Sequence, residues 1–168
     1  MRHSIRPHNA EPAATEVVRL LRSHGATAAS AESLTGGRLA ALLTEIPGSS
    51  EVFRGGVVAY ATDVKIAVLE VPVAVVDQHG VVSAECAREM ARGVRRLTGA
   101  TYGVSTTGVA GPDEQEGKPV GTVYVGVVGP DGDSVVALEL VGDRATIQDR
   151  TCREAVLALA DRLRLAPE

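Results

Sequence analysis

Three short segments of the sequence carry residue types able to do chemistry. The first is Ala31-Glu32-Ser33-Leu34-Thr35-Gly36-Gly37. Glu32, Ser33 and Thr35 fall between a predicted strand and a predicted helix, and Gly36 and Gly37 let the backbone approach a ligand closely. A helix starting there offers free N–H groups and positive potential, which suit an anion or a developing oxyanion. The alternative is a structural cap, with Ser33 or Thr35 as the first hydrogen-bond acceptor of that helix. The second segment holds Tyr60 at the end of a strand and Lys65 on the first turn of the next helix. A lysine beside a strand end serves as a general base if its pKa is lowered, whereas on an open helix surface it is only solvated. The third runs Thr107-Gly108-Val109-Ala110-Gly111-Pro112 and continues to Lys118-Pro119-Val120-Gly121-Thr122. Its glycines allow a loop that presents N–H groups to a phosphate or carboxylate, or else form an ordinary long connection.

The histidines add nothing to these segments. His24 and His79 each precede a glycine at a helix end, and His3 and His8 lie in the first ten residues. No histidine is placed for a Ser–His–Asp triad, and no ligand cluster suggests a metal. A serine nucleophile here would take lysine as its base.

The elements that must hold these residues alternate along the chain. Helices are expected over about 13–23, 37–45, 62–69, 73–78, from Ser83 onward, and 145–164. Strands are expected over 26–31, 55–61, 101–106, 120–128 and 134–140, the last two joined by a turn at Pro130-Asp131-Gly132. Thr62 is expected to cap the helix that follows it. Strands separated by helices pair in parallel, and the late hairpin adds an antiparallel strand. The expected fold is α/β, a three-layer α/β/α sandwich with a mixed, mainly parallel sheet. Its ligand loops, 32–37, 60–65 and 107–118, lie beyond the carboxyl ends of the strands.

Composition agrees with that frame. A chain of 168 residues suits one domain, here 11–168, preceded by a disordered tail over 1–10. Hydrophobic residues make up 45% and aromatics only 2%, so Val, Leu, Ile and Ala must build the core, as in a buried sheet covered by helices. The scarcity of aromatics removes the stacking platforms that single-stranded nucleic acid needs. A net charge of -4 leaves no basic footprint for DNA or RNA, and Arg88, Arg92, Arg95 and Arg96 read as a solvated helix face. Cys86 and Cys152, far apart and in helical stretches, read as buried apolar residues of a chain kept in a reducing compartment. No run of 18 apolar residues predicts a membrane span, and the first ten residues lack a signal peptide's apolar stretch. A soluble, cytoplasmic protein with a small-molecule site is expected.

Together the motifs resemble the C-terminal domain of the CinA competence/damage-inducible family, which also occurs as a stand-alone protein of the PncC type. The resemblance rests on Ala31-Glu32-Ser33 with Thr35-Gly36-Gly37, Pro47-Gly48-Ser49-Ser50, Phe53, and Val58-Ala59-Tyr60 with Lys65. It continues through His79-Gly80-Val81-Val82-Ser83, Thr107 to Pro112, Lys118 to Thr122, and Gly142-Asp143-Arg144, in order over about 13–165. It implies an amidohydrolase that deamidates nicotinamide mononucleotide to nicotinate mononucleotide and ammonia, a step in NAD recycling, with no cofactor and no metal. Ser33 would attack the carboxamide carbon, Lys65 and Tyr60 would carry its proton, and N–H groups near Thr35, Gly36 and Gly37 would hold the oxyanion beside Thr107. Glu32, Thr35, Gly36, Gly37, Gly108, Ala110, Gly111 and Arg144 would contact the substrate.

The resemblance also implies a homodimer, while charge, aromatic content and hydropathy give no expectation of nucleic-acid or membrane partners. Two departures stand out. Gln148 occupies a position where the family often has a second arginine, with Arg150 two residues on. The molybdopterin-binding-like N-terminal domain of full-length relatives is not represented in this sequence, so its pyrophosphatase activity is not expected. Three alternatives remain at this level. Ser33 could only bind while an activated water attacks, the amide could belong to nicotinamide itself or another nucleotide, or the chain could be a non-catalytic nucleotide-binding module linked to competence or DNA damage.

Overall fold

The computed structural model describes residues 10–167. Along the chain run α1 (Glu11–Ser23), β1 (Ala28–Glu32), α2 (Arg38–Thr44), a 3-10 turn (Ser49–Glu51), β2 (Phe53–Val58), α3 (Thr62–Leu69) and α4 (Val73–His79). There follow α5 (Ala84–Thr98), β3 (Tyr102–Gly108), β4 (Thr122–Gly129), β5 (Gly132–Glu139) and α6 (Arg144–Leu165). Five strands make one mixed sheet in the order β2-β1-β3-β4-β5. Helical crossovers make β2, β1 and β3 mutually parallel, while β4 and β5 join antiparallel. The Pro130-Asp131 turn leaves no room for a crossover, so β4 and β5 can only form a hairpin.

Helices cover both faces. Successive strand residues point to opposite sides, so Ala28, Val104, Val123, Val125 and Val127 pack under α1, α2 and α6. Ala29 and Ala31 face α5, with Cys86, Met90 and Val94. β1 contains only Ala, Ser and Glu, yet every residue in it is buried. Small side chains in an inner strand let both helical layers close on it. α5 lies closest. A Cβ on Gly103 would come within 2.0 Å of the Ala91 carbonyl oxygen, and one on Gly126 within 2.6 Å of that of Ala87. Ser83 starts α5, its Oγ accepting from the Cys86 N–H, and the acidic-to-basic order along the helix follows the macrodipole.

Several boundaries differ from the sequence reading. β1 starts later and reaches Glu32, β2 covers 53–58, and β3 extends through Thr107 and Gly108 because β4 pairs with it that far. Thr62 does not cap α3. Ala61 occupies that position without a side-chain bond, and Thr62 is already helical. Ala10, assigned to the tail, is buried against the first core, and residues 1–9 lie outside the described residues. Among the described residues no helix is long and apolar enough to cross a membrane.

Candidate active site

Ser33 is the first residue beyond β1, and its N–H donates to the Thr106 carbonyl at 2.9 Å, continuing the β1–β3 ladder by one step. Lys65 reaches it from α3, which begins as soon as the chain leaves β2. The Lys65 side chain is 1% exposed. Its Nζ donates to Ser33 Oγ at 3.0 Å, to the Ala59 carbonyl at 2.7 Å and to the Tyr60 carbonyl at 3.4 Å. Burial pushes the Lys65 pKa down, and Cys86 and the negative charge of Glu116 pull the other way. In the neutral amine two hydrogens suffice for the two carbonyls, so the lone pair faces Ser33 and can accept its proton. The Lys65 environment therefore favours the form that acts as a base.

The Ser33–Lys65 pair opens into a cleft of about 470 Å³, within the usual range for small-molecule sites. Tyr60, Thr107, Gly108, Ala110, Gly111 and Arg144 also line it, so most of the residues singled out from sequence converge here. Arg144, the first residue of α6, donates to the Gly111 carbonyl and to the Tyr60 hydroxyl, the latter at 2.7 Å. Tyr60 takes part through two separate groups. Its carbonyl serves Lys65, but its hydroxyl is bonded to Arg144 and stands at the mouth, the residue being 60% exposed.

The glycine turn after Ser33 is also different from the expected oxyanion site. Glu32, Thr35, Gly36 and Gly37 do not line the cleft. Glu32 is 1% exposed and its carboxylate occupies the start of α2. Its Oε1 accepts from the N–H groups of Gly37 (3.2 Å) and Leu39 (2.8 Å) and from Thr35 Oγ1 (2.6 Å), while Oε2 accepts from the Ala40 N–H (3.1 Å). Thr35 spends its only proton on Glu32 and so accepts from Thr106 Oγ1 at 2.8 Å. The helix N-terminus is therefore filled by the chain's own carboxylate, and neither Ser33 nor Thr35 caps it. Gly36 and Gly37, at φ 56° and 99°, serve the left-handed turn that brings α2 onto Glu32.

Thr107 is likewise committed, its hydroxyl donating to the Val81 carbonyl at 2.7 Å. The next residue offers what the glycine turn does not. The Thr106 carbonyl faces β1 and the Val109 N–H bonds Thr122 on the β4 side. Strand alternation thus turns the Gly108 N–H toward Ser33. Gln148, buried, donates from Nε2 to the Leu34 carbonyl at 2.8 Å and steadies the turn after Ser33. Arg150 is directed at the Val141 carbonyl, so neither it nor Gln148 lines the cleft. The glycines of the third segment signalled Gly108 as a source of backbone N–H groups, whereas the bond from Gln148 to Leu34 left no sequence signal, because its partner is distant in the chain.

The family model described as CinA C-terminal domain matches residues 10–163. A CinA-like protein of Frankia casuarinae is 52% identical over 132 residues, 79% of this chain and 30% of that protein. A CinA superfamily protein from Klebsiella pneumoniae has a crystal structure that superposes with a TM-score of 0.90 at 32% identity, covering 93% of this chain and 98% of the other. The competence/damage inducible protein CihA from Agrobacterium tumefaciens gives a TM-score of 0.90 at 33% identity, covering 96% and 99%. The chain spans about a third of the length of the curated relatives it matches first.

Proposed function

Because the chain belongs to the CinA C-terminal domain family, we propose that it is an amidohydrolase that converts nicotinamide mononucleotide to nicotinate mononucleotide and ammonia. The observation that carries this reading is the buried Lys65 Nζ at 3.0 Å from Ser33 Oγ. Neutral Lys65 takes the Ser33 proton as Oγ bonds to the carboxamide carbon. The carbonyl oxygen becomes an oxyanion, for which the Gly108 N–H, turned toward Ser33 by strand alternation, is a backbone donor. The Lys65 ammonium then returns the proton to the departing nitrogen and ammonia leaves. Water attacks the acyl-enzyme, with Lys65 again the base, and frees the acid. At the mouth, Arg144 carries the positive charge that suits a nucleotide phosphate.

The test is ammonia release from nicotinamide mononucleotide by the purified protein and its Ser33→Ala variant. Loss of the nucleophile is expected to cut turnover by about 10⁴-fold or more, with the far-UV circular dichroism unchanged. Undiminished turnover would make Ser33 a binding group for a reaction in which water attacks directly. A wild type that binds the nucleotide by calorimetry but releases nothing would replace the enzyme by a nucleotide-binding module.

A further inference from the structure

One wall of the cleft is made by two segments far apart in sequence. Val81 and Val82 belong to the turn before α5, and Asp113, Glu114 and Gln115 belong to the loop between β3 and β4. Two side chains of that loop, Glu116 and Lys118, join them, and Glu116 does so through both of its carboxylate oxygens. Glu116 Oε1 accepts from the Val81 N–H at 2.9 Å, and Oε2 accepts from the Val82 N–H at 3.0 Å. Consecutive N–H groups of this kind form a small anion-binding concavity, filled here by the chain's own carboxylate. The fit leaves no spare room, since a Cβ on Gly80 would lie 2.3 Å from Glu116 Oε2. Lys118 adds a bond to the Val82 carbonyl, and Thr107 holds the Val81 carbonyl.

Glu116 is locally the wrong residue for its place. Gln115 and Lys118 pair across a tight turn, donating to each other's carbonyls at 3.2 and 2.9 Å. The two residues between them, Glu116 and Gly117, are left-handed at φ 55° and 69°. Such turns favour Asn, Asp or Gly at the first position, and a glutamate there gives up backbone comfort. The two N–H bonds to its carboxylate compensate for that backbone.

We propose that Glu116 is a positioning residue that latches the β3–β4 loop onto the Gly80–Val82 turn and so shapes the cleft wall for substrate. The effect on substrate rests on the amidohydrolase reading, but the latch itself can be measured without turnover.

The decisive variant is Glu116→Gly, which relieves the left-handed backbone while removing the carboxylate. A residue kept for turn geometry alone would lose nothing by this change. Under the proposal, amide hydrogen exchange at Val81 and Val82 accelerates by about 10-fold or more, as expected once charge-assisted bonds are lost. The KM for nicotinamide mononucleotide rises by about 5- to 30-fold, while kcat does not fall, because Ser33 and Lys65 keep their places and loss of the Glu116 charge only favours the neutral amine further. The melting temperature falls only modestly, because relief of the left-handed backbone offsets part of the lost bonds. Wild-type exchange at Val81 and Val82 with an unchanged KM would overturn the latch. So would a fall in melting temperature with kcat and KM lost together, which marks a merely structural residue. If the wild type releases no ammonia, the amidohydrolase reading fails by itself, and exchange at Val81 and Val82 still decides the latch.

Discussion

Lys65 concentrates the chemistry of this molecule in one amine. Its burial against two carbonyls lowers its pKa below the ordinary lysine value of 10.5, chiefly by desolvation. The base is the neutral form, so kcat/KM is expected to climb with pH along a limb centred below 10.5 and then level off. A pH–rate profile checks this, and a limb at or above the free-lysine value would exclude Lys65 as the base. Lys65→Arg keeps a charge that cannot be given up and is expected to cost about 10²- to 10⁴-fold in rate. Stability is linked to the same proton. The unfolded chain holds it more tightly, so the Lys65 contribution rises with pH until both states are neutral. The thiols stay out of this chemistry. Both are buried, and desolvation pushes Cys86 up to about 11 and Cys152 further still.

At the scale of elements, α2 depends on a residue outside itself. Glu32 ends β1 and supplies the carboxylate that satisfies the N–H groups of Gly37, Leu39 and Ala40. Truncation would leave those donors buried and unpaired next to Thr35. Glu32→Ala is expected to cost about 3 kcal/mol. Urea denaturation of the pair measures it, and Glu32→Gln should lose less because one acceptor remains. A change within about 0.5 kcal/mol for Glu32→Ala would show that water replaces the carboxylate there. The order and kind of elements were readable from periodicity and from breaks such as Pro47-Gly48 and Pro130-Asp131-Gly132. The cap of α2 was not, because a glutamate six residues before the helix's first residue matches no local capping pattern, and only the chain reversal at Gly36-Gly37 brings it back.

The whole molecule turns on how closely α5 sits on the sheet. α5 begins at the Gly80–Ser83 turn, so its seating sets the height of the wall that Val81 and Val82 give the cleft. Gly103 makes that seating possible, since any Cβ there would meet the Ala91 backbone at 2.0 Å. Gly103→Ala must lift the helix and is expected to destabilise by about 3 kcal/mol, the upper range for overpacking. Thermal unfolding checks the magnitude, and a melting temperature equal to wild type would mean that α5 can rise without loss.

The sequence by itself determined the α/β alternation, the late hairpin, and a short set of reactive residues in the loops after strands. These follow from hydrophobic period, turn chemistry and chain order, which act over a few residues. Tertiary structure decided which of those residues meet. It placed Lys65 against Ser33 and Tyr60 against Arg144, filled the α2 terminus with Glu32, and fastened the β3–β4 loop through Glu116. All but the Glu32 contact reach across tens of residues, fixed by strand order and helix seating, and the burial that lowers the Lys65 pKa exists only once both layers have closed on the sheet.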